Sequence, residues 1–287
     1  MVHCFILHNG QIRDSREKLL SPGQVGLMNG WGVFSTIRVA DGVLFAFERH
    51  WARMSKDAAL LHVPFPKQPE ETRAALLRLV EANGAPDCTL RVVVVRNRGG
   101  AFGGPVETDA DLIAFTASLK DWGRGVKLAY VEQGRHAGSR FAGAKILSWS
   151  MNLTFLEEAQ SAGFDEVVLL NERGEVAECT SANIFIARDR QVFTPPLSSG
   201  CLPGVTRELL LGEIRVSGYE ISEQTLYPRD LETAPEVFIT STTRDLLPVE
   251  RIGDYRIPNS GTARAALQAA FSRYVEQYIA ARKGIPV

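Results

Sequence analysis

A chain of 287 residues with 45% hydrophobic and 23% charged side chains has material for one large or two ordinary globular domains. Its formal net charge of −1, spread without a basic block, argues against nucleic acid or an anionic membrane as a partner, and no apolar run approaches the length of a membrane span. Cys4, Cys88, Cys179 and Cys201 are scattered without CxxC or zinc spacing and read as reduced thiols of a cytosolic protein; the start MVHCFILHNGQ lacks the cationic and long apolar regions of a signal peptide.

From the N-terminus, Cys4–Leu7 and Gln11–Arg13 flank Asn9-Gly10, a β-hairpin signal, and Val33–Val39 and Val43–Phe47 flank Asp41-Gly42, a second one. A helix is predicted over Glu48–Leu61, ended near Pro64 and Pro66, and another over Pro69–Asn83 with Gly84 as its stop. Leu90–Val95 and Leu112–Thr116 read as paired strands. The loop between them, Arg98 to Pro105, is glycine-rich but lacks the Gly-Lys-Ser/Thr ending and following helix of a P-loop. The polar, glycine-bearing stretch Ser118–Gly125 reads as a linker, giving an N-terminal domain over 1–118, a joint over 119–125 and a C-terminal domain over 126–287. Beyond it, strands at Val126–Val131, Val167–Leu170, Ile184–Ala187 and Val237–Thr240 mix with helices near 151–162, 205–216 and 261–281. The mixture has no regular β-α-β period, so the predicted fold class is α+β.

Two residues stand out for chemistry. Of seven lysines, only Lys145 has small or apolar neighbours for several residues on both sides (Phe141, Ala142, Ala144, Ile146, Leu147). An amine in such surroundings loses hydration and is more readily neutral and nucleophilic, as forming an imine with a carbonyl requires. Glu178 lies after the Glu172-Arg173-Gly174 turn, among Ala177, Cys179 and a Thr-Ser-Ala-Asn-Ile-Phe-Ile run, where a carboxylate is costly unless a cation meets it.

Lys145, then Glu178-Cys-Thr-Ser-Ala-Asn-Ile-Phe185, then Cys201-Leu-Pro-Gly-Val-Thr-Arg207 resemble, in order, blocks of the fold-type IV pyridoxal-phosphate enzymes, which include branched-chain and D-amino acid aminotransferases and aminodeoxychorismate lyases. The likeness extends from Gly30 to Val249. It implies a small N-terminal α/β domain, a larger C-terminal pseudo-barrel domain, pyridoxal 5'-phosphate as cofactor, amino acid and oxo acid substrates, and a homodimer. It makes Lys145 the lysine that carries the cofactor and Glu178 the carboxylate paired with the ring nitrogen. Leu202 would lie against the ring. Gly204, Val205 and Thr206 open a helical pattern whose free N–H groups suit a phosphate. Ser241 and Thr242 would add hydroxyls to that phosphate, and Arg53 a guanidinium, with Arg49 one turn away. Thr243, Phe34, Arg91, Arg98 and Arg140 are the candidates for substrate contact.

Substrate class stays open at this level. Ser150 stands five residues after the lysine, where branched-chain enzymes have tyrosine; their Tyr-x-Arg motif is Thr89-Leu90-Arg91; and Ala101 and Gly103 replace the Arg-x-His pair of D-amino acid enzymes. Gly30-Trp-Gly-Val-Phe-Ser-Thr-Ile-Arg38 and Ala177-Glu178-Cys179 are lyase-like, whereas Pro203–Arg207 and Thr240–Thr243 are aminotransferase-like. An amino acid aminotransferase is the leading expectation, a lyase the second, and a non-catalytic relative the third.

Overall fold

The computed structural model describes residues 1–100 and 103–283, so Ala101 and Phe102 of the glycine-rich loop and residues 284–287 lie outside it. Of the described residues, those within Met1–Lys120, Lys145–Trp149 and 275–283 pack as one compact unit; Asp121–Ala144 and Ser150–Tyr274 pack as a second.

The first unit is built on β1 (Val2–His8), β2 (Gln11–Asp14), α1 (Val25–Asn29), β3 (Gly32–Ala40), β4 (Val43–Leu44), α2 (Phe47–Leu60), α3 (Pro69–Ala82), β5 (Cys88–Arg96) and β6 (Ala110–Ala117). Its six strands form an antiparallel sheet in the order β2-β1-β6-β5-β3-β4. Both predicted hairpin turns are present, with left-handed backbone at both central residues: φ 48° and 83° at Asn9-Gly10, 51° and 74° at Asp41-Gly42. That is the twist a two-residue connection needs. The second strand of the second hairpin is shorter than Val43–Phe47. Ala46 turns left-handed (φ 52°) and α2 begins at Phe47, so the apolar Phe45 and Phe47 are buried at a helix start instead of along a strand.

Alternation along β3 divides its side chains between two faces. Val33, Ile37 and Val39 join the core formed with α2, α3 and β5. Ser35 shares that face and Phe34 takes the other one. Along the edge of β3 that β5 leaves open runs Lys145–Trp149: Phe34 N–H donates to Lys145 O (3.1 Å), Leu147 N–H donates to Gly32 O (3.0 Å), and Val33 bridges Ile146.

The second unit contains β7 (Val126–Val131), α4 (Ser150–Ser161), β8 (Glu166–Leu170), β9 (Val176–Cys179), β10 (Asn183–Arg188), β11 (Gln191–Thr194), α5 (Val205–Gly212), β12 (Glu220–Glu223), α6 (Pro228–Glu232), β13 (Glu236–Ser241), β14 (Asp245–Ile252), β15 (Tyr255–Arg256) and the first part of α7 (Ala263–Ala280). Its sheet runs β12-β11-β10-β13-β14-β7-β8-β9, mixed parallel and antiparallel, with β15 beside β14. This is the α+β arrangement expected, with a curved sheet as its half-barrel. Phe185 and Phe238 stack face to face across β10 and β13 (5.2 Å, 6°), each fully buried. Burial of each such ring stabilises the unit by about 2–3 kcal/mol.

Strands β11, β12, β14 and β15 have no counterpart in the sequence reading. β12 is short and mostly polar, and β14 carries Pro248, a strand-breaking signal that the fold accommodates opposite Phe238. The helix predicted over 205–216 stops at Gly212, where the Ile214 N–H closes onto Leu209 O and keeps Ile214 in the core. No helix among the described residues is long and apolar enough to cross a membrane.

Candidate active site

In the first unit, Lys145 is held through its main chain on both sides. Its N–H donates to Asp57 Oδ2 (3.1 Å) and its carbonyl accepts the Phe34 N–H. Its amine lies over the Phe34 ring, 4.5 Å from the centroid, and 5.7 Å from that of Trp149; the two rings meet edge to face at 5.9 Å. Arg91, from the neighbouring strand, stacks its guanidinium 3.8 Å from the Phe34 centroid. Phe34, Arg91 and Lys145 thus form one cluster, with two cations sharing an aromatic ring. Burial pushes the pKa of Arg91 down from its ordinary value.

Arg53 lies beneath them on α2, 9% exposed, and donates from Nη2 to Ser35 Oγ (2.8 Å). The same hydroxyl is 2.7 Å from His50 Nδ1. Burial, and then the charges of Arg53 and Lys145, push the pKa of His50 well down. Ser35 Oγ thus links His50 to Arg53 in one buried polar chain. His50, Arg53 and Asp57 fall at helical spacing on one buried face of α2, a polar stripe at i, i+3 and i+7.

In the second unit, Glu178 lies near the end of β9 and is 7% exposed. Both its carboxylate oxygens are engaged: Arg135 Nε donates to Oε1 and the Leu202 N–H to Oε2, each at 3.0 Å. Arg135 is the cation that burial of this carboxylate demanded. It is fixed in turn by Asn152, whose Oδ1 accepts from Arg135 Nη1 (3.1 Å) and whose Nδ2 donates to Thr180 O (2.8 Å). Beneath that turn Glu166, on β8, accepts from Thr180 Oγ1 and from Ser181 Oγ (2.7 Å) and pairs with Arg244 (3.4 Å).

Leu202 leads into the start of α5. Gly204 is its N-cap, with no side-chain cap on the first turn, and any Cβ there would collide with Asn183 Oδ1. Asn183 holds that approach closed by donating to Leu202 O (2.9 Å). The N–H groups of an uncapped first turn are free to meet an anion. Val205 and Thr206 are buried, and α5 packs on β13, whose last residue is Ser241. The hydroxyls of Thr206 and Ser241 are both buried without a hydrogen-bond partner. Such groups are costly unless something accepts from them, and a dianion at an uncapped helix start would do so. Thr242 and Thr243 lie half-buried in the turn after β13. The donor set of this unit fits a phosphate ester.

Two candidates stand apart from these clusters. Arg98 is exposed and pairs with Asp109 (2.9 Å), and Arg140 is exposed with its guanidinium 5.2 Å from the Phe141 centroid. Asp57, Ser35, His50, Arg135, Asn152 and Asn183 were not singled out in the sequence. The stripe at 50, 53 and 57 was the one readable signal, since a buried helix face seldom spends three positions on polar groups.

Comparison with known proteins places the chain. A family model described as amino-transferase class IV matches residues 32–252. A Methanocaldococcus jannaschii protein with a provisional branched-chain-amino-acid aminotransferase name is 32% identical over 88% of each chain. The D-alanine aminotransferase of Bacillus licheniformis is 29% identical over 86% of this chain and 88% of its own, and the aminodeoxychorismate lyase of Bacillus subtilis is 26% identical over 96% of both. Among solved structures, the branched-chain aminotransferase of Thermoproteus uzoniensis with norvaline superposes with a TM-score of 0.87 at 26% identity, covering 97% of this chain and 98% of that one. The T.th. branched-chain aminotransferase with pyridoxamine 5'-phosphate gives 0.87 at 25% identity, covering 97% of each. The chain belongs to the class IV aminotransferase family: it is a fold-type IV, pyridoxal-phosphate-dependent transaminase that moves an amino group between an amino acid and a 2-oxo acid.

Proposed function

We propose that Lys145 carries the cofactor, that Glu178 pairs with its ring nitrogen, and that the amino donor is an aliphatic amino acid of the branched-chain type. The observation that carries this reading is the second unit's donor set: a doubly held buried carboxylate beside an uncapped helix start with two buried, partnerless hydroxyls. When bound, pyridoxal phosphate supplies an aldehyde that condenses with amines and a ring that accepts electrons from the substrate α-carbon. Thr206, Ser241 and Thr242, the first-turn N–H groups of α5 and the Arg53 guanidinium hold its phosphate; Leu202 lies against the ring. Glu178, immobilised by Arg135 and the Leu202 N–H, keeps a proton on the ring nitrogen. Once displaced from the cofactor by the substrate amine, Lys145 Nζ takes the α-carbon proton of the substrate and passes it to the cofactor's C4′ carbon, leaving the oxo acid to be released by water. Arg91 and Phe34 orient the substrate, and the Thr243 N–H meets its carboxylate. Arg98 and Arg140 are outer candidates for the same carboxylate.

The branched-chain preference draws on the names of the M. jannaschii relative and of the superposed structures. A screen of L- and D-amino donors with 2-oxoglutarate as acceptor tests it. Leucine, isoleucine or valine should be the best donors by kcat/KM, and a preference for D-alanine would overturn the assignment. A lyase is the second reading, favoured by the B. subtilis relative and by Gly30–Arg38. Pyruvate release from aminodeoxychorismate without amino transfer would establish it. The active molecule is proposed to be a cytosolic homodimer, and light scattering should give the mass of two chains.

A further inference from the structure

Asp57 has no place in the chemistry described so far, yet it is the side chain that touches the Lys145 main chain. It is 4% exposed, one helical turn beyond Arg53 on the buried face of α2, and its Oδ2 accepts the Lys145 N–H at 3.1 Å. A carboxylate this enclosed is retained only where its charge or its acceptor capacity is used. The charged groups that act on it are Arg53 and Lys56 on α2 and Lys145 itself. Burial pushes the Asp57 carboxyl up, while the Lys145 N–H and the charges of Arg53, Lys56 and Lys145 draw it back. The lysine segment is otherwise tied to β3 by two main-chain bonds, to residues 32 and 34. Asp57 adds a third tie, at the backbone root of the lysine itself.

We propose that Asp57 is a positioning residue for Lys145: its carboxylate pins the lysine's main-chain N–H and sets a fixed negative charge within electrostatic reach of the amine. The charge opposes the tendency of an apolar setting to strip the amine of its proton. In the alkaline range where an amine titrates, the carboxyl is ionised and the effect is fully present. The significance of this residue for catalysis rests on Lys145 being the cofactor lysine.

Two measurements on the full-length chain separate the proposal from that assignment. Trace acetic anhydride labelling from about pH 6 to 11, read lysine by lysine by mass spectrometry, follows the amine in cofactor-free protein. Asp57→Asn, which keeps an acceptor but loses the charge, should move the Lys145 midpoint down by about one pH unit and leave exposed Lys127 unchanged. An unmoved Lys145 midpoint overturns the electrostatic role. Asp57→Leu removes the acceptor too, and hydrogen exchange at the Lys145 amide should quicken roughly fivefold or more relative to Asp57→Asn. Equal exchange in the two variants overturns the pinning role. Loading the wild-type chain with pyridoxal phosphate should protect Lys145 from the label; protection of a different lysine removes the cofactor assignment while leaving the cofactor-free comparison intact.

Discussion

The surroundings of Lys145 and those of Glu178 are built on different plans. Lys145 is fixed through its backbone, by β3 at its carbonyl and Asp57 at its N–H, and its side chain rests on the Phe34 ring. Glu178 is fixed through its side chain, with both oxygens occupied and the residues behind them, Arg135 and Asn152, occupied as well. A group that must hand protons between atoms needs a firm root and a compliant tip. A group that must hold one charge in one place needs a rigid tip. The contrast fits the roles proposed for the two.

Replacement of the moving part should do the greater damage. Lys145→Ala is expected to lower turnover on the order of 10⁴-fold, since the residue proposed as both covalent anchor and proton carrier would be gone, as steady-state kinetics would register. A loss of tenfold or less would mean that another base does the work. Glu178→Gln keeps the shape and loses the charge; turnover should fall on the order of 10²-fold while cofactor absorbance at saturation persists. Near-normal turnover would remove Glu178 from the reaction.

The rigidity of the glutamate side has its own test. Arg135→Leu strands a buried carboxylate, and denaturant unfolding should show a loss of about 3 kcal/mol, discounted somewhat for the 19% exposure of the arginine. A shift too small to resolve would mean that Glu178 relaxes readily, and the two plans would no longer differ. Thr206→Val should weaken cofactor affinity by about five- to tenfold, with kcat at saturating cofactor nearly kept, as fluorescence titration would show.

The smallest expected effect lies away from both clusters. Asp111 is met by Asn9 (2.6 Å), Asn97 (3.0 Å) and His8 (3.2 Å), and also accepts from Gln24. Burial alone would push its carboxyl up, but the bonds from Asn9 and Asn97 and the charge of His8 outweigh it, so its folded pKa lies below the ordinary value. A lowered carboxyl stabilises the fold above the unfolded carboxylate pKa, and this contribution fades as pH falls through the folded one. Asp111→Asn should therefore be less stable than the parent near neutrality by about 1 kcal/mol, and the gap should close as pH falls below the ordinary carboxylate range. A gap that widens in acid would reverse the sign.

Much of the fold could be read from residues because its signals are local. Asn-Gly and Asp-Gly turns, the prolines around 64–69 and the β-branched run at 90–95 each act within a few positions. β12 and β14 could not: β12 is mostly polar and pairs with β11 from beyond α5, and β14, though it follows β13 directly, carries Pro248 and meets the distant β7 on its other edge. The same division holds for the candidate site. Lys145 stands out by the character of its neighbours, and Thr206 by the helix start around it. Arg135 does not, because nothing in Glu132-Gln-Gly-Arg135-His announces that its guanidinium turns inward to a carboxylate 43 positions away. Asp57 was partly legible, as a polar member of a buried helical stripe, but its contact with Lys145 joins residues 88 apart.

The most direct trial is borohydride reduction of the holoenzyme followed by peptide mapping. The account predicts a purified protein that is yellow, bleaches on reduction, and carries the pyridoxyl group on the peptide containing Lys145 and on no other. A reduced cofactor attached to any of the other six lysines would contradict it.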